Sequence, residues 1–238
     1  MDTLYRGFIP TKNKQSTMKY KGVPSSNLLT YDDVKNLEEF AGVLAEDVVL
    51  IDIDDVEQSE KMFNMVEGSE LVCKVYQSRK GMHFLFKNNG LFDKNFTKTK
   101  IACGLIVDIK IGSHNGIEVL KIDGKERDVL YDKLDNEDYQ VAPKWLMPLK
   151  YAPDFMNMTA GDGRNQELFN YILNLQSNGF TKDECRECIR LINKYVFTDK
   201  LSDSEIDTIL RDDAFNVPIF FDGKTLLFAK FANYLKNE

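Results

Sequence analysis

Asp52 and Asp54 follow an apolar run and have the spacing of carboxylates that could share divalent cations. If residues 48–54 form a strand, alternate side chains point to opposite faces, so both carboxylates lie on one face with Leu50. Carboxylates two residues apart on a strand are roughly 6 to 7 Å apart, which suits two cations about 4 Å from each other. The opposite face would be apolar and would belong to a core; it comprises Val49, Ile51 and Ile53. A strand that ends in a solvated acidic turn gives the same pattern.

A second group of polar residues lies in a predicted hairpin turn. Gly81 suits a tight turn between a strand that ends at Ser78 and a strand that begins at His83. The turn would present a hydroxyl, the cations of Arg79 and Lys80, backbone N–H groups and an imidazole. These are the groups that bind a triphosphate. The alternative is a structural histidine at the start of a strand.

A third carboxylate, Asp108, interrupts an apolar strand predicted over residues 104–111. Alternation places Asp108 on one face with Ile106 and Lys110. Burial of an unpaired carboxylate costs several kcal/mol, so we expect Asp108 to have a cation, a metal ion or water. A salt bridge to a lysine is the alternative. The opposite, apolar face comprises Leu105, Val107, Ile109 and Ile111.

Hydrophobic periodicity predicts the elements that position these groups. A helix from Val56 to near Gly68 would follow the first two aspartates, and further strands are expected over residues 71–77 and 117–122. Residues 112–116 and Gly124 would form turns. A helix capped by Asp32 or Asp33 would precede the central strand; its apolar positions are Val34, Leu37, Phe40, Ala41 and Leu44.

Three short helices are predicted after residue 163. Gly179 would end the first, and capping boxes would begin the other two; these boxes are Thr181 with Glu184 and Ser202 with Glu205. Cys185 and Cys188 have metal-like spacing inside the second helix, but no other cysteine pair or histidine is near in sequence. We therefore expect no zinc site.

Composition indicates an ordinary globular chain of 238 residues with a formal net charge of −7, long enough for one large and one small domain. No apolar run approaches the roughly 18 residues of a membrane span, and the N-terminus begins no signal peptide, so we expect a cytoplasmic protein without a membrane partner. Residues 1–31 are locally basic and rich in aromatics. Such an arm could bind nucleic acid, or it could be a solvated edge hairpin with its turn near Asn13.

Three short motifs, in this order, resemble those of the archaeo-eukaryotic primase superfamily. They are residues 50–54 with the two aspartates, residues 78–83 with Ser78, Gly81 and His83, and residues 106–109 with Asp108. Over residues 1–150 the chain more narrowly resembles primase-polymerase domains of phages, prophages and mobile elements. The resemblance implies an α/β (α+β) fold with a mostly antiparallel, RRM-like sheet, followed by a small all-helical domain.

The same resemblance implies a division of the chain. Residues 1–152 would be the catalytic domain, 153–163 a linker, 164–213 a helical C-terminal primase module, and 214–238 a tail similar to the start of a superfamily 3 helicase region. The opening of the helical part, Gly163 to Asn165, is similar to that of modules thought to clasp template or initiating nucleotide. Arg164 and Asn165 would then be the polar contacts. A plain helical bundle for packing or assembly is the alternative.

The activity implied is that of a DNA primase and DNA polymerase that makes primers for phage or mobile-element replication in a bacterial host cytoplasm. Asp52, Asp54 and Asp108 would bind two Mg²⁺ or Mn²⁺ ions, and His83 would contact the phosphates of the incoming nucleotide. Ser78 matches a hydroxyl position of the family. Gly81 belongs to the same motif, and charge and placement add Arg79, Lys80 and Lys110 to the nucleotide-binding group. The expected partners are single-stranded DNA template and NTP or dNTP, with a replicative helicase, in cis or in trans, as a candidate.

Two other classes of function are compatible with the sequence. A metal-dependent nuclease could use Asp52 or Asp54 with the Asp108-x-Lys110 strand, but it would leave the Ser78–His83 turn without a role. A non-catalytic origin-binding or helicase-loading module would use the helical part, but it would leave three strand carboxylates unexplained.

Overall fold

The computed structural model describes residues 3–136 and 138–215. Its strands are β1 (Tyr5–Lys12), β2 (Gln15–Ser16), β3 (Phe40–Leu44), β4 (Val48–Ile53), β5 (Lys74–Gln77), β6 (Met82–Lys87), β7 (Phe96–Lys100), β8 (Ile106–Ile111), β9 (Ile117–Ile122), β10 (Lys125–Glu126) and β11 (Val129–Asp132). Its α-helices are α1 (Tyr31–Val34), α2 (Val56–Gly68), α3 (Arg164–Ser177), α4 (Lys182–Leu191) and α5 (Asp203–Ile209). A π-helix over Ile192–Val196 extends α4.

The strands form two antiparallel sheets, which confirms the α+β class. The first sheet has the order β10-β9-β3-β1-β2, and the second has the order β11-β5-β6-β4-β8-β7. The N-terminal hairpin predicted near Asn13 is β1 paired with β2, at the edge of the first sheet. The other predicted strands are confirmed. β9 has the predicted bounds, whereas β5 begins at Lys74 and β8 at Ile106, later than predicted.

The central strand predicted around the two aspartates is β4, which lies between β6 and β8. Its residues alternate as expected. Val49, Ile51 and Ile53 join a hydrophobic cluster with α2 and the C-terminal helices, whereas Leu50 belongs to a cluster that also contains Leu120 of the first sheet. The second sheet is therefore covered by helices on one face and by the first sheet on the other. All six residues of β4 are buried.

The helix predicted through residues 34–44 is wrong beyond Val34. Thr30, not Asp32 or Asp33, is the N-cap of the short α1, and Asp33 completes its capping box. Residues 40–44 instead form β3, between β1 and β9. Because β3 is covered on both faces, all five of its residues are buried. A strand buried on both faces has no polar alternation, so its apolar run can imitate helical spacing.

The C-terminal helices and their caps are confirmed. Thr181 and Ser202 each accept a hydrogen bond from the backbone three residues ahead, and each has the reciprocal glutamate bond. These helices share one hydrophobic cluster with the second sheet, and the Tyr171 hydroxyl donates to the Ala102 carbonyl over 2.8 Å. The segment expected to be a linker carries Phe155, which is fully buried with its ring centroid 5.1 Å from that of Tyr171. That part of residues 153–163 is packed against the core.

The tail predicted over residues 214–238 is described only at its start. Ala214 and Phe215 are buried in a 3-10 helix over Asp212–Phe215. The remainder of the segment said to resemble a helicase region lies outside the described residues.

Candidate active site

Asp52, His83 and Asp108 lie in one row across the second sheet. Asp52 on β4 is the Cα partner of His83 on β6 and of Asp108 on β8. Residues directly opposite in an antiparallel pair point to the same face. Three polar residues from separate parts of the sequence are thus brought together, on the face that looks towards the first sheet.

His83 is buried between two carboxylates. Its Nε2 lies 3.0 Å from Asp52 Oδ1, and its Nδ1 lies 2.9 and 2.8 Å from the two carboxylate oxygens of Glu118. Glu118 belongs to β9 of the first sheet, and its side chain is fully buried. Burial alone would lower the pKa of His83, but the charge of Glu118 and the contacts with both carboxylates outweigh it and raise the pKa to about 9. The imidazole is therefore a cation at neutral pH.

Asp52 receives a second cation from β8. Lys110 Nζ lies 2.9 Å from Asp52 Oδ2. Burial would raise the pKa of Asp52, but the contacts and charges of His83 and Lys110 outweigh it and hold the pKa well below its usual range. The 3.0 Å contact with His83 is close enough for an ion pair, but its direction leaves the buried Oδ1 without a well-aligned hydrogen-bond donor. Asp52 is thus ionised, and each of its oxygens lies within 3.0 Å of a cation.

The other two predicted metal ligands differ in position. Asp108 is half-buried, and its Oδ1 accepts a hydrogen bond from the backbone N–H of Lys98 over 2.7 Å, at an irregularity of β7. Asp54 lies beyond the last residue of β4, where it is exposed. The next residue, Asp55, caps α2 by accepting from the Gln58 N–H. The pairing of β4 with β8 places Asp52 beside Asp108, whereas Asp54 lies beyond the end of β4.

The predicted hairpin turn is confirmed, and its backbone is largely occupied. Ser78 N–H donates to the Gly81 carbonyl over 2.9 Å, and Gly81 N–H donates to Ser78 Oγ over 3.1 Å. Of the backbone N–H groups expected to bind a ligand, those of Ser78 and Gly81 are thus already bonded within the turn. Arg79 and Lys80 are exposed at its tip. A Cβ on Gly81 would lie 1.9 Å from the Ile53 carbonyl oxygen, so only glycine lets the turn pack against the end of β4.

Arg164 and Asn165, the predicted template contacts, pair with acids of the helical part. Arg164 lies 3.1 Å from Asp199 and stacks on Phe197, and its side chain is 10% exposed. Asn165 donates to Glu205 over 3.1 Å. The structure therefore places Arg164 inside the helical packing, where it contacts Asp199 and Phe197. Contact of either residue with template stays a prediction.

Sequence reasoning missed Glu118 and Arg127. Arg127 Nε lies 3.1 Å from Glu118 Oε1, and its Nη1 donates to the Gln77 carbonyl over 3.2 Å. A signal for Glu118 was present, because it alternates in phase with Leu120, which is buried. The same reasoning had identified Asp108. Arg127 lies in a polar connection between β10 and β11 and carries no such signal.

The donor set fits a hard divalent cation in part. Asp52 Oδ1 is buried without an aligned donor, and Asp108 faces it from the adjacent strand; carboxylate oxygens of this kind are what Mg²⁺ and Mn²⁺ prefer. Within residues 3–136 and 138–215, no three carboxylate, imidazole or thiol side chains form a group that could hold a metal ion. Of the three predicted metal ligands, only Asp52 and Asp108 are neighbours in the sheet.

Comparisons of this chain with protein-family models, with curated proteins and with solved structures gave no match. Among the described residues, none of the helices has the length and apolar character needed to cross a membrane.

Proposed function

We propose that this chain is a template-directed nucleotidyltransferase of the DNA primase and DNA polymerase type. The observation that carries the proposal is the row of Asp52, His83 and Asp108 on adjacent strands. It combines carboxylates suited to a divalent cation with cations suited to a triphosphate, which are the two groups of ligand that nucleotidyl transfer requires.

Each residue of the row has a role in this proposal. Asp52 and Asp108 would hold the cation, and when bound the cation would supply Lewis acidity at the α-phosphate. His83 and Lys110 both contact Asp52 from neighbouring strands, so both cations stand where phosphate oxygens would arrive beside the carboxylates. Arg79 and Lys80 are exposed on the turn next to this row and would add charge for the outer phosphates. The chain contributes positioning and electrostatic stabilisation.

The proposal is tested by incubating the protein with single-stranded DNA, Mg²⁺ or Mn²⁺ and labelled NTPs or dNTPs, with and without a primer. We expect labelled oligomers from the wild type and at least a hundredfold less product from Asp108→Asn. Asp93→Asn is the matched control, because Asp93 is an exposed acid remote from the row in sequence. Absence of any nucleotide incorporation by the wild type under all of these conditions refutes the proposal.

A metal-dependent nuclease is the second candidate, and one contact favours it. Lys110 of the Asp108-x-Lys110 strand touches Asp52, and a lysine beside two carboxylates could serve hydrolysis of a phosphodiester. Nuclease chemistry gives no role to His83, which is buried at the centre of the same network. Shortening of the labelled template without incorporation would favour this candidate.

A further inference from the structure

Glu118 and Arg127 form a buried ion pair that contacts His83 at Nδ1 and bridges the two sheets. Both oxygens of Glu118 lie within 2.9 Å of His83 Nδ1. Arg127 contacts the same carboxylate, and its Nε also donates to the Val119 carbonyl. Through Nη1, Arg127 reaches the Gln77 carbonyl, one residue before the turn of Ser78. The pair therefore joins β9 to the strand that precedes the nucleotide-binding turn.

Packing of the two sheets does not require charged residues at the layer of Asp52, His83 and Glu118. Two residues along the same strands, Leu50 of β4 pairs with Leu85 of β6, and Leu120 of β9 joins them in one apolar cluster. Asp52, His83 and Glu118 occupy the next layer, each two residues from one of these leucines. A buried ion pair is on average no more stabilising than well-packed apolar residues of similar volume. The charged layer therefore calls for an explanation other than stability.

The geometry points to Glu118 and Arg127 as positioning residues for His83, an inference that rests on the proposed nucleotidyl transfer. Glu118 accepts from Nδ1–H and fixes the plane of the imidazole, and Arg127 fixes Glu118. Nε2 then points towards Asp52, 3.0 Å from its Oδ1. This is the nitrogen that can donate to a non-bridging oxygen of a nucleoside triphosphate.

A second ring orientation would defeat this purpose. A 180° rotation about the Cβ–Cγ bond would exchange the positions of the ring nitrogens and carbons, so no N–H would face the site. A carboxylate that receives a hydrogen bond from Nδ1 selects one orientation, as second-layer carboxylates do for histidines that bind metals. Loss of Glu118 should therefore weaken triphosphate binding without removing any group that touches the nucleotide.

The contact is tested first without nucleotide. The chain has two histidines, so His114→Gln leaves His83 as the single imidazole in a protein labelled with ¹⁵N-histidine. We expect the long-range ¹⁵N–¹H spectrum to show a slowly exchanging proton on Nδ1 of His83. The signal should persist in Glu118→Gln, which keeps an acceptor oxygen, and should vanish in the double variant Glu118→Leu/Arg127→Met, which removes the buried pair together.

Binding of dATP with Mg²⁺ is then measured on the same proteins. The double variant should bind about tenfold or more weakly, and Glu118→Gln should recover most of that loss. Lys87→Met is the matched control, because it breaks ion pairs of β6 at the opposite end of the strand from His83; its affinity should stay within twofold of the wild type. If the double variant does not fold, Arg127→Lys replaces it, since lysine cannot donate to Glu118, Val119 and Gln77 together, and a loss of several fold is expected.

The outcomes separate the inference from the function on which it rests. A wild type without a proton on Nδ1, or a folded double variant that binds dATP as tightly as the wild type, overturns the positioning role. A wild type that shows the Nδ1 signal but binds neither dATP nor any other nucleoside triphosphate overturns the proposed function instead, and with it the ligand assigned to Nε2.

Discussion

The buried imidazole of His83 should make the stability of this protein depend on pH in a way that one substitution removes. The charged groups that face it are Asp52 on β4, Lys110 and Asp108 on β8, Glu118 on β9 and Arg127 beyond β10. Burial would lower the pKa of His83, but Glu118 and Asp52 outweigh it and raise the pKa to about 9. The ordinary value for histidine is about 6.5, so the folded protein binds this proton more tightly than the unfolded chain does.

The sign and size of the effect follow from proton linkage. Because the folded-state pKa is raised, the stabilisation is fully present below about pH 6.5 and is lost as the pH rises through about 9. A difference of about 2.5 pKa units corresponds to roughly 3 kcal/mol, most of which falls between pH 7 and pH 9.5. The free energy of unfolding should fall by roughly 2 to 3 kcal/mol over that interval through His83 alone.

Buried thiols also lower the free energy of unfolding as the pH rises, and comparison with a matched variant cancels their contribution. Burial raises the pKa of Cys73, Cys103 and Cys185 to about 12, so only the unfolded chain releases these protons above about pH 8.5. His83→Gln retains these thiols and that of Cys188, whose pKa burial also raises. Urea unfolding of both proteins in EDTA at pH 7 and pH 9.5 should show a stability difference that shrinks by roughly 2 to 3 kcal/mol. A difference that is the same at both pH values would refute the charged state assigned to His83.

Three further results are expected. Asp52→Ala should lower the free energy of unfolding by roughly 3 kcal/mol in urea titrations, because it leaves the cations of His83 and Lys110 without their carboxylate. Asp54→Ala should change the free energy of unfolding by less than about 0.5 kcal/mol. Equal effects would contradict the positions of these aspartates. Gly81→Ala should cost about 2 to 3 kcal/mol in the same titrations, because its Cβ would meet the Ile53 carbonyl, with the exposed Lys80→Ala as a control that leaves stability unchanged. A fragment that ends at Ala152 should bind a dye for exposed apolar surface and unfold at lower urea than the full chain, since it uncovers the cluster shared with α3 and α4; a fragment as stable as the full chain would show that the two parts fold independently.

Local signals account for most of the elements that the sequence predicted. Strand alternation alone placed Asp52 and Asp108 on the polar faces of β4 and β8, because each strand has one apolar face and one mixed face. Capping boxes at Thr181 and Ser202 marked helix starts because their hydrogen bonds join residues three apart. Gly81 marked the turn because glycine tolerates the close approach of the Ile53 carbonyl.

Non-local packing accounts for what the sequence did not predict. The apolar run of β3 imitates helical spacing because both of its faces are buried, one against Leu50 of the second sheet and the other against Leu28, so the strand shows no polar alternation. Glu118 meets His83 across 35 positions and across two sheets, so periodicity could indicate that it is buried but could not name its partner. Arg127 reaches the site only because β10 turns back along β9.

The charges around His83 balance when Asp108 is counted. Three cations, His83, Lys110 and Arg127, contact Asp52 and Glu118, and Asp108, opposite Asp52 on the adjacent strand, supplies a third negative charge that acts on Lys110. An ionic group of this kind is on average no more stabilising than apolar packing, and an added charge within it is costly unless it is paired. Under the proposed function a triphosphate at His83 would add negative charge to this balanced group. It would therefore have to arrive with a divalent cation, which Asp52 and Asp108 would hold.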